Sequence, residues 1–252
     1  MPALNEEKNI LSAIDNTLKG FNDFTIDGEL IIINDGSSDR TPDLVKERIS
    51  NECPKVRLID HAAPQGIGAC FWDGVLNAEG EVVCTLPGDN ENEPGEIFRY
   101  LKLLEDVDIA IPFVYNKRSR TLFRNILSFA CLNVLHISFG VYFNYTNGTV
   151  LYRKSILDDI DYRSKSFFFQ ADILIRLVKR GYLFAEAPYR LGLRKSGKSK
   201  ATRFSSILPV AKDYLRLMTD IYITKKERVK KHKFSKDSVS ERRYKELEGL
   251  NG

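Results

Sequence analysis

The stretch that decides the fold is Glu29-Leu30-Ile31-Ile32-Ile33-Asn34-Asp35-Gly36-Ser37-Ser38-Asp39-Arg40-Thr41. Its first six residues form a short apolar run, which is typical of a buried strand in a parallel sheet. Its last seven residues are small or polar, and a predicted helix over Pro42–Ser50 follows them. A strand, a polar turn and a helix in this order indicate a crossover unit, so the sequence predicts an α/β protein.

The same alternation continues on both sides of this stretch. Helical spacing of apolar residues and short apolar runs predict helices over Asn5–Lys19, Gly66–Ala78 and Pro94–Leu104 and strands over Lys55–Asp60, Glu81–Leu86 and Asp108–Val114. We therefore expect a mostly parallel sheet flanked by helices. The turn Pro2–Glu6 has only Met1 before it, so we expect the first strand to be truncated.

The second half of the chain alternates less regularly. We expect helices over 117–143, Lys154–Leu157, Phe169–Gly181 and Ser206–Ile223, strands over Gly148–Tyr152 and Tyr182–Pro188, and a basic loop over Arg190–Arg203. The segment Leu122–Phe143 is interrupted by polar and charged side chains, which favours amphipathic helices over a membrane span. Residues 224–252 are strongly charged and are predicted to form a basic, flexible tail.

The composition narrows the class of protein. The 252 residues have a net charge of +4, but residues 225–252 alone hold ten basic and five acidic side chains. The basic character therefore belongs to the tail, and we expect no nucleic-acid-binding domain. The four cysteines form no CxxC pair and residues 1–10 have no apolar signal core, so a reduced, cytoplasmic protein is expected. With three histidines in the chain, any metal should be a hard cation held by carboxylates.

Two polar loops follow predicted strands, and each has two interpretations. The segment Asp35–Thr41 lies where α/β sheets bind ligands, and Asp35 is suited to accept a base or ribose hydrogen bond. The alternative is a helix N-cap that satisfies free amides. The acidic loop Leu86–Pro94 suits Mg²⁺ or Mn²⁺ bridging two phosphates, or it is simply a solvated turn.

Two further segments stay open in the same way. The carboxylate of Phe169-Gln170-Ala171-Asp172 lies in the first turn of a predicted helix, where it either acts chemically or complements the helix dipole. The segment 194–200 contains clustered cations with glycine and serine, which suit an anionic phosphate. Nucleic-acid binding and solubility are the competing interpretations of that segment.

In this order, the motifs resemble those of the family-2 glycosyltransferases, and more narrowly the dolichyl- or polyprenyl-phosphate mannose synthase branch. They are P-x-L-N-E from Pro2, D-G-S-S-D-x-T from Asp35, the G-D-N loop from Gly88, N-G-x-x-x-Y-R from Asn147, F-Q-x-D from Phe169 and R-x-x-G-x-S-K from Arg194. The resemblance extends from Pro2 to about Lys200. Because these six motifs occur in the right order and spacing, coincidence is improbable.

The resemblance implies a GT-A fold, a Rossmann-like α/β domain that binds a nucleotide-diphosphate sugar. The positions that match donor-binding residues of the family are Pro2, Leu4, Glu6, Asp35, Asp39, Gly66, Asp89, Asn147 and Gly148. We expect one catalytic domain over 1–223, with a nucleotide-sugar half (1–115) and an acceptor-side half (116–223), followed by the basic tail 224–252.

The resemblance also implies a metal and a set of catalytic positions. Asp89 matches the last acid of the family's D-x-D metal motif, Glu91 falls where a further ligand often lies, and Pro87 replaces the first acid. Mg²⁺ or Mn²⁺ is the expected cofactor. Asn144 replaces an acid near the sugar. The matching catalytic positions are Asp89, Gln170, Asp172, Arg194 and Lys200, and the loop that faces the acceptor phosphate holds Arg194, Ser199 and Lys200.

The expected reaction is an inverting transfer to a dolichyl or undecaprenyl phosphate in cell-envelope biogenesis. The first alternative is transfer to a saccharide hydroxyl, for which Asp172 is the candidate base. The second is a non-catalytic nucleotide-sugar-binding relative. With a lipid acceptor, the segments 122–143 and 206–223 and the basic tail would make peripheral contact with the cytoplasmic membrane face. Otherwise these helices pack on the core or on a second subunit, as in a homo-oligomer.

Overall fold

The computed structural model describes residues 1–50, 55–116, 122–190, 207–224 and 234–250. The strands are β1 (Pro2–Ala3), β2 (Leu30–Asn34), β3 (Val56–Asp60), β4 (Val82–Cys84), β5 (Ile109–Val114), β6 (Leu151–Arg153) and β7 (Phe184–Tyr189). The α-helices are α1 (Ile10–Asp23), α2 (Thr41–Ser50), α3 (Ile67–Asn77), α4 (Pro94–Phe98), α5 (Leu122–Phe139), α6 (Phe169–Lys179), α7 (Ile207–Met218) and α8 (Val239–Leu250). A π-helical turn, Thr219–Ile223, continues α7.

The apolar runs form strands because both of their faces are covered. All five residues of β2 are buried. Ile31 and Ile33 belong to one apolar cluster, while Leu30 and Ile32 belong to another. Successive side chains of a strand point to opposite faces, so this division means that the sheet has packed layers on both sides.

The strands form two sheets in the order β1-β2-β3 and β4-β6-β5-β7. The first sheet is parallel throughout, and β5 pairs in parallel with β7. β6 runs antiparallel to both β4 and β5. The α/β class with helices flanking the sheet is therefore confirmed, and β6 is the exception to the parallel arrangement. Because of its direction, the amino end of β6 lies at the edge where the parallel strands end.

The first strand is short, as expected. β1 has two residues, and it pairs with Ile33 and Asn34 of β2. The Met1 amine donates to the Ile31 carbonyl at 2.6 Å, and burial lowers the pKa of that amine to about 5. A cavity of about 830 Å³ lies between β2 and β4 and is lined in part by Met1 and Pro2. The Gly88 amide, after β4, donates to the Pro2 carbonyl, so β1 connects the two sheets at the end where the parallel strands terminate.

The carboxy-terminal segment is ordered where the structure describes it, so the prediction of a flexible tail is wrong for residues 234–250. The Asp108 carboxylate, 0% exposed, accepts the backbone amides of Val239 (2.7 Å) and Ser240 (3.0 Å) and the Ser240 hydroxyl. The ring of Phe234 packs against that of Tyr182. A buried carboxylate at the start of α8 satisfies its free amides, which fixes this helix against the beginning of β5.

We expect Asp108→Asn to destabilise the protein by about 2 kcal/mol, because a neutral amide is a weaker acceptor and presents a donor to buried amides. Urea unfolding monitored by circular dichroism measures the change. Asp106→Asn is the matched control, since Asp106 pairs with Arg243 at an exposed position and its loss should change stability by less than about 0.5 kcal/mol. Equal stability of the two variants would contradict the docking role of Asp108.

Candidate active site

Five segments converge where the parallel strands end. They are Leu4–Glu7 after β1, Asp35–Thr41 after β2, His61–Gly66 after β3, Gly88–Asn92 after β4 and Thr146–Thr149 before β6. In α/β sheets this edge is where ligands bind, because the loops there are free to vary while the strands hold them in place.

The first two segments are joined by hydrogen bonds. Asn5 adopts a φ of 53°, its amide donates to Ser37 Oγ at 2.9 Å, and its side-chain oxygen accepts the Ser38 amide at 2.8 Å. The Glu6 amide donates to Thr41 Oγ1 at 2.8 Å. This loop explains why α1 begins at Ile10 and not at Asn5 as predicted, since residues 5–7 bond to the neighbouring loop.

Asp39 holds the start of α2. Its Oδ1 accepts the Thr41 amide at 2.9 Å and the Thr41 hydroxyl, while Oδ2 accepts the Glu7 amide at 3.1 Å. Burial would raise the pKa of this carboxyl, but the hydrogen bonds from Thr41 and Glu7 outweigh it and keep the pKa below its usual range. The sequence left two interpretations of this loop, ligand binding and a helix cap. For Asp39 the structure shows the helix cap.

Asp35 is buried under the loop that follows β3. Its Oδ1 accepts the Gln65 amide at 2.7 Å and faces His61 Nδ1 at 3.0 Å, and its Oδ2 accepts the Gly66 amide at 3.0 Å. Burial opposes ionisation, but these donors outweigh it and lower the pKa of Asp35. The carboxylate is therefore ionised and fixed in orientation at neutral pH.

Two glycines make the close approach of these loops feasible. Gly36 has a φ of 67°, and a Cβ there would lie 2.7 Å from the backbone of Ala63 and Pro64. Gly66 has a φ of 103°, and its Cβ would lie 2.5 Å from the Lys165 carbonyl oxygen. Both positions therefore require glycine. The start of α3 packs directly on the segment that precedes α6.

The acidic loop after β4 is held at both ends. The Gly88 amide donates to the Pro2 carbonyl at 3.0 Å. Asp89 Oδ1 accepts the Glu91 amide at 3.1 Å. Asn90 has a φ of 57°, and its side-chain oxygen accepts from Asn16 Nδ2 at 3.0 Å. These bonds place the half-buried Asp89 beside the loop that follows β1.

Asn92 links the acidic loop to the second sheet. Its side-chain oxygen accepts the Tyr189 hydroxyl at 3.0 Å and lies 3.4 Å from Thr149 Oγ1. Tyr189 ends β7, and Thr149 follows the segment Thr146-Asn147-Gly148. Asn147 is exposed, while a Cβ on Gly148 would lie 3.0 Å from the Pro112 carbonyl oxygen. Asn92 therefore brings the predicted metal loop next to the predicted sugar-binding segment.

The residues of the acidic loop fit a hard divalent cation. Asp89 and Glu91 offer carboxylate oxygens, which Mg²⁺ and Mn²⁺ prefer, and two such ligands leave coordination positions for diphosphate oxygens and water. Within the described residues, the group of three ligating side chains that the structure brings together is Asp35, His61 and Cys70. Burial raises the pKa of Cys70 to about 12, so its thiol stays protonated and is a poor metal ligand.

Gln170 and Asp172 are buried in the first turn of α6. Asp172, 1% exposed, accepts from Arg176 Nε at 3.0 Å, and Arg176 Nη2 donates to Asp220 at 2.8 Å. No described contact brings the Asp172 carboxylate to Asp89. The structure therefore places Asp172 within a buried ion network that joins α6 to the turn after α7.

The remaining predicted positions divide into two groups. Asn144, which replaces an acid, donates its amide (2.6 Å) and its Nδ2 (2.8 Å) to the two carboxylate oxygens of Glu186. Arg194, Ser199 and Lys200 lie outside the described residues.

Sequence reasoning missed three polar side chains of this region: His61, Asn92 and Glu186. His61 and Asn92 both follow strands, which was a usable signal. Glu186 lies within β7, and nothing in its local sequence distinguishes it.

Burial raises the pKa of Asp172 to about 6, although Arg176 opposes the shift. A folded-state pKa above the unfolded value means that the folded protein binds more protons, so this carboxyl stabilises the fold at low pH and the contribution is lost as the pH rises from about 4 to 6. We expect Asp172→Asn to remove this slope from the unfolding free energy measured between pH 4 and 6. If the unfolding free energy of Asp172→Asn kept the same dependence on pH, the raised pKa of Asp172 would be contradicted.

The sequence matches the family model described as Glycosyl transferase family 2 over residues 1–163. A dodecaprenyl-phosphate galacturonate synthase of Rhizobium johnstonii is 25% identical over 164 residues, which cover 64% of this chain and 48% of that protein. An undecaprenyl-phosphate 4-deoxy-4-formamido-L-arabinose transferase of Pectobacterium carotovorum is 31% identical over 130 residues, covering 51% and 39%. The chain thus spans about half the length, or less, of these curated relatives.

Solved structures share the fold. Glucosyl-3-phosphoglycerate synthase of Mycobacterium tuberculosis, crystallised with Mn²⁺, UDP-glucose and phosphoglyceric acid, superposes with a TM-score of 0.64 at 19% identity, covering 87% of this chain and 76% of that one. The same enzyme crystallised with Mg²⁺ and UDP gives a TM-score of 0.63 over the same shares. The α/β architecture is therefore of the GT-A type. With the family match over residues 1–163, the conclusion is that this chain belongs to glycosyl transferase family 2.

Proposed function

We propose that this glycosyltransferase moves a sugar, with inversion, from a nucleotide-diphosphate sugar to a polyprenyl phosphate. The observation that carries the proposal is the convergence of Asp35, Asp89 and the segment 146–149 at one edge of the sheet. The names of the curated relatives, which include polyprenyl-phosphate sugar transferases from two bacteria, support the acceptor class.

The donor would lie across this edge. Asp35 would accept a hydrogen bond from the base, and Pro2, Leu4, Glu6 and Gly66 would line that end. Asp89 and Glu91 would hold Mg²⁺ or Mn²⁺ at the diphosphate, and Asn147 and Gly148 would lie at the sugar. When bound, the cation supplies positive charge that stabilises the departing diphosphate. Arg194, Ser199 and Lys200 would contact the donor and acceptor phosphates. In this arrangement residues 1–115 form the half that binds the donor, and residues 116–223 form the half that binds the acceptor.

A phosphate acceptor suits the groups in this site. Its oxygen is already anionic at neutral pH, so it attacks the anomeric carbon without a strong general base, while the bond to the nucleoside diphosphate breaks and its oxygen keeps the electron pair. A hydroxyl acceptor must lose a proton. Asp172, the candidate base for that reaction, is buried against Arg176, and Asn144 carries no charge.

The test is incubation with labelled UDP- and GDP-sugars, Mn²⁺ and undecaprenyl phosphate, with oligosaccharides as competing acceptors. We expect label in the lipid extract, with an inverted anomeric configuration. Transfer only to the saccharides would overturn the acceptor. Nucleotide binding with neither transfer nor donor hydrolysis would overturn the catalytic role.

An exposed apolar surface supports a lipid acceptor. Phe129, Val134 and Ile137 of α5 are exposed, as are Leu208 and Leu215 of α7. The two helices contact each other, since Ser138 Oγ lies 2.6 Å from the Tyr214 hydroxyl. We define the exposed side chains of 128–142 and 207–224 as the α5–α7 surface. None of the helices in the described part of the chain is long and apolar enough to cross a bilayer.

The charges of this surface favour an anionic bilayer as its partner. Within 207–224 the exposed charged side chains are Lys212 and Arg216, while Asp213 and Asp220 are buried. Asp213 accepts the hydroxyls of Ser164 and Ser166 at 2.6 Å each, so its charge is satisfied internally. Apolar side chains with cations beside them are the combination that binds at a membrane interface. We propose peripheral contact with the cytoplasmic membrane face through this surface.

Sedimentation with vesicles tests the contact. We expect binding to vesicles of phosphatidylglycerol and phosphatidylcholine, and Leu215→Glu should reduce it at least about fivefold, because a charge would enter the apolar interface. Leu76→Glu is the matched control, as Leu76 is exposed on α3. Equal binding of both variants would contradict the assignment of the surface.

A further inference from the structure

His61 lies between two carboxylates that belong to different elements. Its Nδ1 is 3.0 Å from Asp35 Oδ1, at the end of β2, and its Nε2 is 3.0 Å from Asp73 Oδ2, on α3. The ring itself follows β3 and is 7% exposed. The His61 amide donates to the Asn34 carbonyl at 2.9 Å, which fixes the backbone that carries the ring.

This arrangement defines the hydrogen bonds of the ring. A neutral imidazole has one N–H group, so it can donate to only one of two flanking carboxylates. Each ring nitrogen of His61 lies at hydrogen-bond distance from one carboxylate oxygen, so the two contacts orient the ring between Asp35 and Asp73. The half-exposed Asp73 thereby anchors His61, and His61 holds the buried Asp35.

Three of the donors that surround Asp35 belong to one connected segment, while the Cys70 thiol of α3 also faces the carboxylate. His61, Gln65 and Gly66 all lie in the loop after β3. The two backbone donors occupy one lone pair on each oxygen, and the His61 ring adds a side-chain contact to Oδ1. A carboxylate has about four acceptor positions, so beside the Gln65, Gly66 and His61 contacts it keeps acceptor capacity for a ligand N–H.

We infer that His61 is a positioning residue for donor binding, which holds Asp35 and the loop 61–66 in the geometry that recognises the base of a nucleoside diphosphate. This inference rests on the proposed function. The base lies at the opposite end of the donor from the reacting carbon. Loss of His61 therefore weakens donor binding in the ground state and the transition state alike, which raises KM and leaves kcat nearly unchanged.

The test compares two probes in calorimetric titrations with Mn²⁺. One is UDP or GDP, whichever the unsubstituted protein binds, and the other is inorganic diphosphate, which has no base. His61→Phe keeps the ring volume and removes both hydrogen bonds. We expect the nucleotide affinity to fall about tenfold and the diphosphate affinity to stay within about twofold. The transfer assay should give a similar rise in donor KM with kcat within about twofold.

Two further variants distinguish a specific role of His61 in nucleotide binding from a general effect of the substitution on the fold. Asp73→Asn keeps the His61 ring and weakens its anchor, so it should lower nucleotide affinity in the same direction by about threefold, even if His61→Phe folds poorly. His136→Phe is the matched histidine control, because His136 bonds the backbone of Phe143 away from this loop. It should leave both affinities unchanged.

The possible results distinguish a failure of the His61 inference from a failure of the proposed function. Equal losses of nucleotide and diphosphate affinity in His61→Phe would mean a general structural role, and no loss of either would mean no role; both results overturn the inference. If the unsubstituted protein binds neither UDP nor GDP, the proposed function fails and the inference fails with it.

Discussion

Replacing Asp89 by Asn is expected to lower the rate of sugar transfer by at least about 100-fold. The change removes the negative charge through which this loop would hold Mg²⁺ or Mn²⁺, while Asn keeps the size and an acceptor for the Glu91 amide. The fold should be preserved, because Asp89 is half-buried and forms no ion pair among the described residues. Steady-state transfer and Mn²⁺ binding by the same preparation measure the effect.

Glu93→Gln is the control for Asp89→Asn. Glu93 lies in the same loop but is exposed, and neither the resemblance nor the geometry places it in the site. Its replacement should change the rate less than about twofold. If Asp89→Asn retained transfer within about threefold of the unsubstituted protein, the acidic loop would not be the metal site. The presence of Glu91 in the variant would not rescue that assignment.

Replacing Arg176 by Met is expected to destabilise the fold by about 3–5 kcal/mol. Arg176 is 3% exposed and bonds Asp172 at 3.0 Å and Asp220 at 2.8 Å. Removing it leaves two buried carboxylates without their cation, and an uncompensated buried charge is among the most costly single changes. The unfolding free energy from urea titration measures the loss. We expect a lower melting temperature and loosening of the contact between α6 and the turn 219–223.

Two comparisons identify the cause. Lys179→Met, on the exposed side of the same helix, should change stability by less than about 0.5 kcal/mol. Adding Asp172→Asn and Asp220→Asn to Arg176→Met should recover part of the loss, because neutral amides remove the unpaired charge. A stability of Arg176→Met within about 1 kcal/mol of the unsubstituted protein would show that the network contributes little.

Local sequence was sufficient to predict the edge of the sheet at which the candidate site residues lie. The run 29–34 and the polar segment after it are adjacent in the chain, so the strand, the turn and the position of Asp35 follow from neighbours alone. The same holds for Asp89 after β4. The predicted start of α1 was wrong because the bonds of residues 5–7 go to residues 37–41, which local spacing does not reveal.

Long-range contacts account for the other differences. The tail was predicted to be flexible from its charge. In the structure, the Asp108 carboxylate accepts hydrogen bonds from the start of α8, which lies more than 130 residues further along the chain. Asp172 has Arg176 four residues away, which the sequence displays. Arg176 also bonds Asp220, a partner that the sequence does not connect with it.

The sequence by itself determined the α/β class, the order of most strands and helices, and the family, because each depends on residues close together or on motifs of fixed order. The tertiary structure decided what the polar side chains do. It made Asp39 a helix cap, buried Asp172 in an ion network and placed His61 between Asp35 and Asp73. The physical reason is that a side chain's charge and hydrogen bonds depend on partners that only the folding of distant segments brings within about 3 Å.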